Sequence, residues 1–307
     1  MRKLPDHYYD SRCYWAHMLT LCCNGACPYC ILDGRGKCVK TPEMSGKEVL
    51  AFWNGLWHER GKTLSIIGGE PTLHPDIIEI VAGLENYHIT ITTNCRGPFY
   101  RDGDGPKKLR KHPTSSLRVN TTFHPHHIDP DEYIDMVAAF HAAGHYVDQI
   151  GCVDYPGVEE KYGSELAKVR AALPLKMVPY LGFIHEGKVH AAARPERIWP
   201  NEDYHNDAPA RLCGLGNIDA YRHICGQEEP MTAECHHPYK SLIMGPSGKY
   251  YHCHYKLYYD LEAVSQLPEL KTVPREPMTC NWYGFCNWCD VPRVGCVKNK
   301  TARKLEV

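Results

Sequence analysis

Short apolar or alternating runs trade places with amphipathic stretches through the first 183 residues. Strand-like runs fall at Tyr14–Leu21, Thr63–Ile67, His88–Thr93, Ser116–Phe123, Tyr146–Val153 and Leu175–Leu181. Helical patterns separate most of them. Ser45 and Glu48 form the S-x-x-E capping box of a helix that runs to about Arg60. Pro75–Glu85 reads as a second helix. Asp129 caps a third, with Pro130 and Glu132 in its first turn, and Gly144 stops it after Ala143. Val158–Ala172 reads as another helix, and Arg101–Lys111 as a Gly-rich basic loop with a short helix.

Strand–helix alternation implies parallel βαβ units. Six units predict an α/β fold, a partial (β/α)6 TIM-like barrel over residues 12–183, open rather than closed at eight strands. Residues 184–212 are polar, carry Pro195, Pro200 and Pro209, and read as a linker or lid. From Cys213 to Val307 the rhythm is lost, which predicts a small C-terminal cysteine-rich module. Alternation also assigns faces. Ile89 and Ile91, with Leu117, Val119 and Thr121, belong on the helix-covered side. Thr90, Thr92 and Asn94, with Arg118, Asn120 and Thr122, then line the lumen, unless these strands lie at an edge with polar faces wet.

Composition narrows the classes. Lys+Arg is 35 and Asp+Glu is 36, a formal charge of −1, which argues against a general nucleic-acid binder. The apolar fraction of 43% supports a proper core. No run of about 18 apolar residues predicts a membrane span. The opening MRKLPDHYYD lacks the apolar stretch of a secretory signal, so a cytoplasmic, reducing setting is expected. There, 16 cysteines point to metal or iron–sulfur ligation rather than disulfides. They gather at the two ends, with Cys95 and Cys152 alone between.

Cys23, Cys27 and Cys30 make C-x3-C-x2-C directly after the first strand. Three thiolates hold three irons of a [4Fe–4S] cluster and leave the fourth open. They do not by themselves close a tetrahedral zinc site, although Cys22, Cys38 or His17 would complete one. This pattern, with Tyr29 as the aromatic before the last cysteine and Gly68-Gly69-Glu70-Pro71 after the second strand, resembles the radical S-adenosylmethionine (SAM) superfamily over residues 12–183. The resemblance implies that Cys23, Cys27 and Cys30 bind a [4Fe–4S] cluster whose open iron chelates SAM. It places Tyr29 near the adenine and Gly68, Gly69, Glu70 and Pro71 around the methionyl amine. Asn94, Asn120 and Thr122 become candidates for ribose and carboxylate contacts. It also implies a flavodoxin- or ferredoxin-like electron donor and hydrogen-atom abstraction from a substrate.

In the last third, Cys235-x12-Gly248-x4-Cys253 flanks an expected hairpin at Ile243–Tyr251, and Cys286-x2-Cys289 follows. On the residues alone, two plus two thiolates suit a zinc ribbon as well as a cluster. After such a barrel, the pattern is similar to the SPASM and twitch extensions, which carry auxiliary [4Fe–4S] clusters. Cys280-x5-Cys286-x2-Cys289-x6-Cys296 departs from the full SPASM spacing and favours the twitch form, with Cys235, Cys253, Cys286 and Cys289 as ligands. Cys213, Cys225, Cys280 and Cys296 are spare cysteines for a further cluster.

Other residues carry weaker signals. His124-Pro125-His126-His127 follows the fourth strand, where a solvated run, a substrate contact or a metal ligand are all open. Cys152, on the fifth strand, is a candidate hydrogen-atom donor or an inert buried thiol. With the barrel beginning near residue 12, a small molecule or short peptide held directly is the expected substrate, for oxidation, crosslinking or epimerisation. The alternatives are a nucleotide- or tRNA-modifying radical SAM enzyme and a non-catalytic zinc or iron–sulfur protein.

Overall fold

In the structure, a computed structural model, residues 14–27, 29–30, 42–56, 61–100, 104–155, 157–179, 183–185, 188–190, 231–235, 241–251, 253–258 and 278–283 are described. The capping box forms as the sequence predicts. The Ser45 hydroxyl accepts the Glu48 N–H, and the Glu48 carboxylate accepts the Ser45 N–H at 2.7 Å. Helix α1 (Gly46–Trp53) follows strand β1 (Tyr14–Met18) but stops well before Arg60. Asn54 ends it: the side-chain amide donates to Gly83 O at 2.7 Å and accepts from Glu85 N at 3.1 Å. An Asn engaged on both sides and a Gly after it leave little to propagate the helix.

The alternation then continues: β2 (Lys62–Ile67), a 3-10 turn (Pro71–Leu73), α2 (Ile77–Gly83), β3 (Tyr87–Thr93), a one-turn α3 (Gly105–Lys108), β4 (Ser116–Thr122), α4 (Pro130–Ala142), β5 (Tyr146–Asp154), α5 (Val158–Ala172) and β6 (Lys176–Pro179). The six strands pair in parallel in sequence order. This is a parallel α/β sheet of the open, partial-barrel kind. Asp129 caps α4 by accepting Asp131 N–H at 2.8 Å, with Pro130 at the first position. Strands β4 and β5 slip register between Val119 and Asn120, where one residue of β5 is unpaired, a bulge that re-aims neighbouring side chains.

The face assignment is as expected. Ile89, Ile91 and Val119 are fully buried and Leu117 nearly so. Tyr133, Val137 and Phe140 of α4 are buried too, and Tyr133 OH meets Thr121 Oγ1 at 2.8 Å. The alternate residues His88, Thr92 and Arg118 are exposed, and Thr90, Asn120 and Thr122 partly so.

Residues 16–180, with 245–248, group as one compact unit, and the later strands belong to a second. In the second, β7 (Phe183–His185) pairs antiparallel with β8 (Lys188–His190). β9 (Met231–Cys235) pairs with β12 (Met278–Tyr283). The expected hairpin is present: β10 (Ser241–Met244) and β11 (Tyr250–Tyr251) pair antiparallel, and helix α6 (His254–Tyr258) follows. Of the linker expected at 184–212, residues 184–185 and 188–190 are described and belong to the β7–β8 pair; the rest of it and most of the module at 213–307 lie outside the described residues. Among the described residues no helix is long and apolar enough to cross a membrane.

One core group makes stability depend on pH. His17 is fully buried, and its Nδ1 accepts the Trp53 indole N–H at 3.0 Å. Burial, reinforced by His74, lowers it to about 3. The folded chain therefore keeps His17 neutral while the unfolded chain protonates it below about 6.5. Stability contributed by this site is whole above that value and is lost as pH falls towards 3, at no more than about 1.4 kcal/mol per pH unit. Urea unfolding of wild type and His17→Gln between pH 7 and pH 4 checks this: the variant's stability is expected to fall less steeply, and parallel curves refute it.

Candidate active site at the cysteine loop and diglycine turn

Strand β1 delivers the chain to its cysteine loop beside the turn that ends β2. Leu19 N still bonds Ile67 O at 2.9 Å, so the two strand ends leave the sheet together. Gly69 N then donates to Thr20 O, and Glu70 N to Cys22 O, each at 2.8 Å. The approach is so close that only glycine fits. A Cβ on Gly69 would stand 2.3 Å from Cys22 O and 2.8 Å from Leu21 O, and one on Gly68 2.8 Å from Thr20 O. Inside the loop, Cys22 N donates to Thr20 Oγ1 at 2.9 Å, and Cys30 N to Cys27 O at 3.0 Å. The Thr20 hydroxyl also bonds the Glu43 carboxylate.

Glu70 is buried and its carboxylate is fully engaged. Oε1 accepts from Thr72 N at 3.1 Å, Thr72 Oγ1 at 2.6 Å and Thr93 Oγ1 at 2.8 Å, and Oε2 from Asn94 N at 2.8 Å. Burial raises its pKa, and these four donors oppose the rise. The carboxylate thus ties the turn, through Pro71 and Thr72, to the end of β3. There Asn94 reaches the cysteine loop: its Nδ2 donates to Asn24 Oδ1 at 2.8 Å and lies 3.8 Å from Cys23 Sγ.

The thiols of Cys23, Cys27 and Cys30 share this loop closely enough to act on one another electrostatically. Burial first, and neighbouring cysteines among the lesser causes, push Cys23 up to about 11 and Cys27 to about 12. A bound metal inverts that balance by holding the thiolate form. Among the described residues, the set with ligand atoms all within 4.8 Å of one another is Cys27, His126 and His127, not the three cysteines. Three thiols in one loop suit three separate irons of one cluster, whereas a tetrahedral zinc needs a fourth protein ligand, so the donor set fits a [4Fe–4S] group.

The loop after β4 covers this site through contacts that no local pattern foretells. Tyr29 is buried, its ring stacked on Tyr155 at 4.3 Å between centroids and its hydroxyl 2.6 Å from His124 Nδ1. His127 Nε2 accepts the Ala26 N–H at 2.6 Å. His126 packs on His127 at 4.1 Å and edge-on to Tyr29 at 5.5 Å. Asn120, at the bulge, has a buried side-chain oxygen without a hydrogen-bond partner, while Thr122 is half-buried on the same polar face. Cys152 is fully buried on β5, and burial pushes its thiol to about 12. Tyr155 was not among the residues singled out from the sequence. A lone tyrosine after a strand carries no signal until its stacking partner is known.

The C-terminal cysteines are placed only in part. Cys235 ends β9 opposite Met278, and Cys280 of β12 stands opposite Ala233, two positions along the ladder. Because β9 pairs with β12, hydrogen bonding to the β10–β11 hairpin is not what would set Cys235 beside Cys253, which follows β11. Cys213, Cys225, Cys286, Cys289 and Cys296 lie outside the described residues.

Residues 18–153 match the Radical SAM superfamily. The chain carries a radical SAM domain. No curated protein matches it. Among solved structures, Streptococcus suis SuiB bound to precursor peptide SuiA superposes with TM-score 0.54 at 16% identity, covering 92% of this chain and 70% of that one. SuiB bound to S-adenosylmethionine gives 0.50 at 16% identity, over 85% and 64%. At such identity the likeness is one of fold. Membership of the radical SAM domain implies an enzyme that uses a [4Fe–4S] cluster and SAM.

Gly69→Ala tests the coupling between turn and loop. The added methyl meets the Cys22 carbonyl, so a loss of about 1–3 kcal/mol is expected, together with lower iron content after anaerobic reconstitution. Gly163→Ala, inside α5 with nothing within 4 Å of its Cβ, is expected to lose neither stability nor iron, and equal losses in the two variants overturn the coupling.

Proposed function

We propose that this chain reductively cleaves SAM and uses the resulting radical to take a hydrogen atom from a short peptide or small molecule, in the modification of a peptide or natural product. The observation that carries the reading is the pair of hydrogen bonds from the diglycine turn to Thr20 O and Cys22 O. They set the two motifs at one end of the sheet, which chance occurrence of either motif would not.

Cys23, Cys27 and Cys30 are the residues to hold the cluster. When bound, that group supplies the electron that splits the sulfonium into methionine and a 5′-deoxyadenosyl radical. The protein's part is to bind, orient and exclude water. Main-chain groups of Gly68 and Gly69 receive the methionyl amine, and Glu70 acts by holding that turn, because its oxygens already accept four hydrogen bonds. Pro71 begins the 3-10 turn that carries Thr72 to the carboxylate. Asn94, Asn120 and Thr122 line the polar face for ribose and carboxylate. The orphaned Asn120 oxygen supports that role, since a buried acceptor is kept for a donor that comes with the ligand. Tyr29 closes the adenine side.

A peptide substrate draws support from SuiB, whose structure holds a precursor peptide on a similar fold. We assign residues 12–183 to the catalytic barrel and residues 213–307 to a twitch-like module with Cys235, Cys253, Cys286 and Cys289 on an auxiliary [4Fe–4S] cluster. A cluster held there would supply a one-electron acceptor, which suits net oxidation of a substrate. A small flavodoxin- or ferredoxin-like protein is the proposed reductant.

Cys27→Ala decides the assignment. After anaerobic reconstitution, wild type is expected to hold about seven or eight irons and to form 5′-deoxyadenosine from SAM under dithionite. The variant is expected to lose about half of the iron and all of the product. Normal turnover by Cys27→Ala, or zinc without product in wild type, sinks the reading.

A further inference from the structure

Tyrosine and imidazole groups converge on one cysteine of the loop. The Tyr29 hydroxyl lies near enough to the Cys27 sulfur to favour its thiolate form. The same hydroxyl stands 2.6 Å from His124 Nδ1, itself 3.8 Å from that sulfur. His126 and His127 each bring a ring nitrogen within 4.8 Å of it. Cys23 has different company: the Gly25 N–H at 3.3 Å and the Asn94 amide at 3.8 Å.

The imidazoles are not equivalent. His127 is committed, since Nε2 accepts the Ala26 N–H and leaves the ring proton on Nδ1. His126 is uncommitted: both ring nitrogens are shut away from solvent and neither has a partner. A neutral ring must carry one N–H, and an N–H left unmade in the interior is unfavourable. The Cys27 sulfur lies within 4.8 Å of a ring nitrogen, longer than a hydrogen bond in this structure, and a small turn of the ring would bring the N–H onto it. A thiol accepts weakly, whereas a metal-bound thiolate is charged and accepts strongly. With its proton on Nδ1, His124 donates to the Tyr29 oxygen and leaves the hydroxyl proton for the sulfur, a relay in which each bond polarises the next.

Hydrogen bonds into the sulfurs of an iron–sulfur cluster are among the factors that set its potential, because they stabilise the more negative, reduced form. We infer that the His124-Pro125-His126-His127 loop sets the reduction potential of the N-terminal cluster through Cys27, His126 donating to the sulfur directly and His124 through Tyr29. The inference rests on the radical SAM reading of the loop. It concerns a one-electron couple in which no bond is made or broken.

The test is the midpoint potential of the reconstituted full-length protein without SAM, followed by electron paramagnetic resonance. The N-terminal cluster is recognised as the signal that Cys27→Ala lacks. In His126→Leu, the ratio of reduced to oxidised cluster at a fixed solution potential is expected to fall about tenfold, a shift of about 59 mV. His126→Gln, which keeps a donor, is expected to recover most of it, and His124→Phe to fall in the same direction by less. Iron content is expected to stay at the wild-type value. An unchanged potential in His126→Leu overturns the inference. So does loss of iron in both His126 variants, which would make the ring a ligand. Should His126→Leu fail to fold, His124→Phe carries the test with the same outcomes. A wild-type protein without any four-iron cluster would instead overturn the reading of the loop itself.

Discussion

Two main-chain N–H groups, those of Gly69 and Glu70, reach across to the carbonyls of Thr20 and Cys22, and the rest of the site follows from that contact. It joins the ends of β1 and β2 at a separation that no side chain at position 69 permits. The diglycine is therefore a steric requirement of the cysteine loop as much as a surface for a ligand. With the turn fixed, Glu70 is carried into the interior, where it stands only because four donors meet it. Two of those donors, Thr93 Oγ1 and Asn94 N, come from the end of β3. Three consecutive strand ends are thus laced to one loop.

The lacing carries an electrostatic cost. Thiols on Cys23 and Cys27 and the Glu70 carboxyl are all pushed by burial towards their neutral forms. A site meant only for packing would place apolar residues here. An iron–sulfur core that needs thiolates, and a positively charged sulfonium ligand with an ammonium group, reverse the balance, because each stabilises the charged form of its neighbour. The high intrinsic cost of the empty donor set and the affinity of the filled one are two sides of the same burial.

Local signals were readable in the sequence and long-range ones were not. The Ser45–Glu48 capping box and the Asp129 cap each span only a few residues, and both formed as read. The alternation in β3 and β4 gave the right buried face, because a sheet covered by helices leaves one choice for Ile89, Ile91, Leu117 and Val119. The paired motifs were legible because their spacing is itself chemical. Helix α1 is shorter than its pattern predicts, since Asn54 ends it by contacts to Gly83 and Glu85, some thirty residues on. The histidine loop looked as solvated as any polar run. Its bonds to Ala26 and Tyr29 cross about a hundred positions, a distance over which periodicity says nothing.

Chemistry that generates a carbon radical must also keep weak X–H bonds of the protein away from it. Cys152 sits in the wall that also holds Tyr29, and its sulfur is near enough for the two to influence each other electrostatically. Yet it is fully buried, raised to about 12 by desolvation, and its sulfur makes a long hydrogen bond to Val153 O at 3.8 Å. Those features support a packed thiol over a hydrogen-atom donor. The polar faces of β3 and β4 point the same way. Thr90, Thr92, Asn120 and Thr122 offer hydroxyl and amide groups, whose O–H and N–H bonds resist a carbon radical far better than a thiol does. Cys95, the other cysteine of the central sequence, is fully buried as well. Hydrogen-bonding groups on the polar face and central thiols kept buried are what the proposed chemistry requires if the abstracted hydrogen is to be the substrate's.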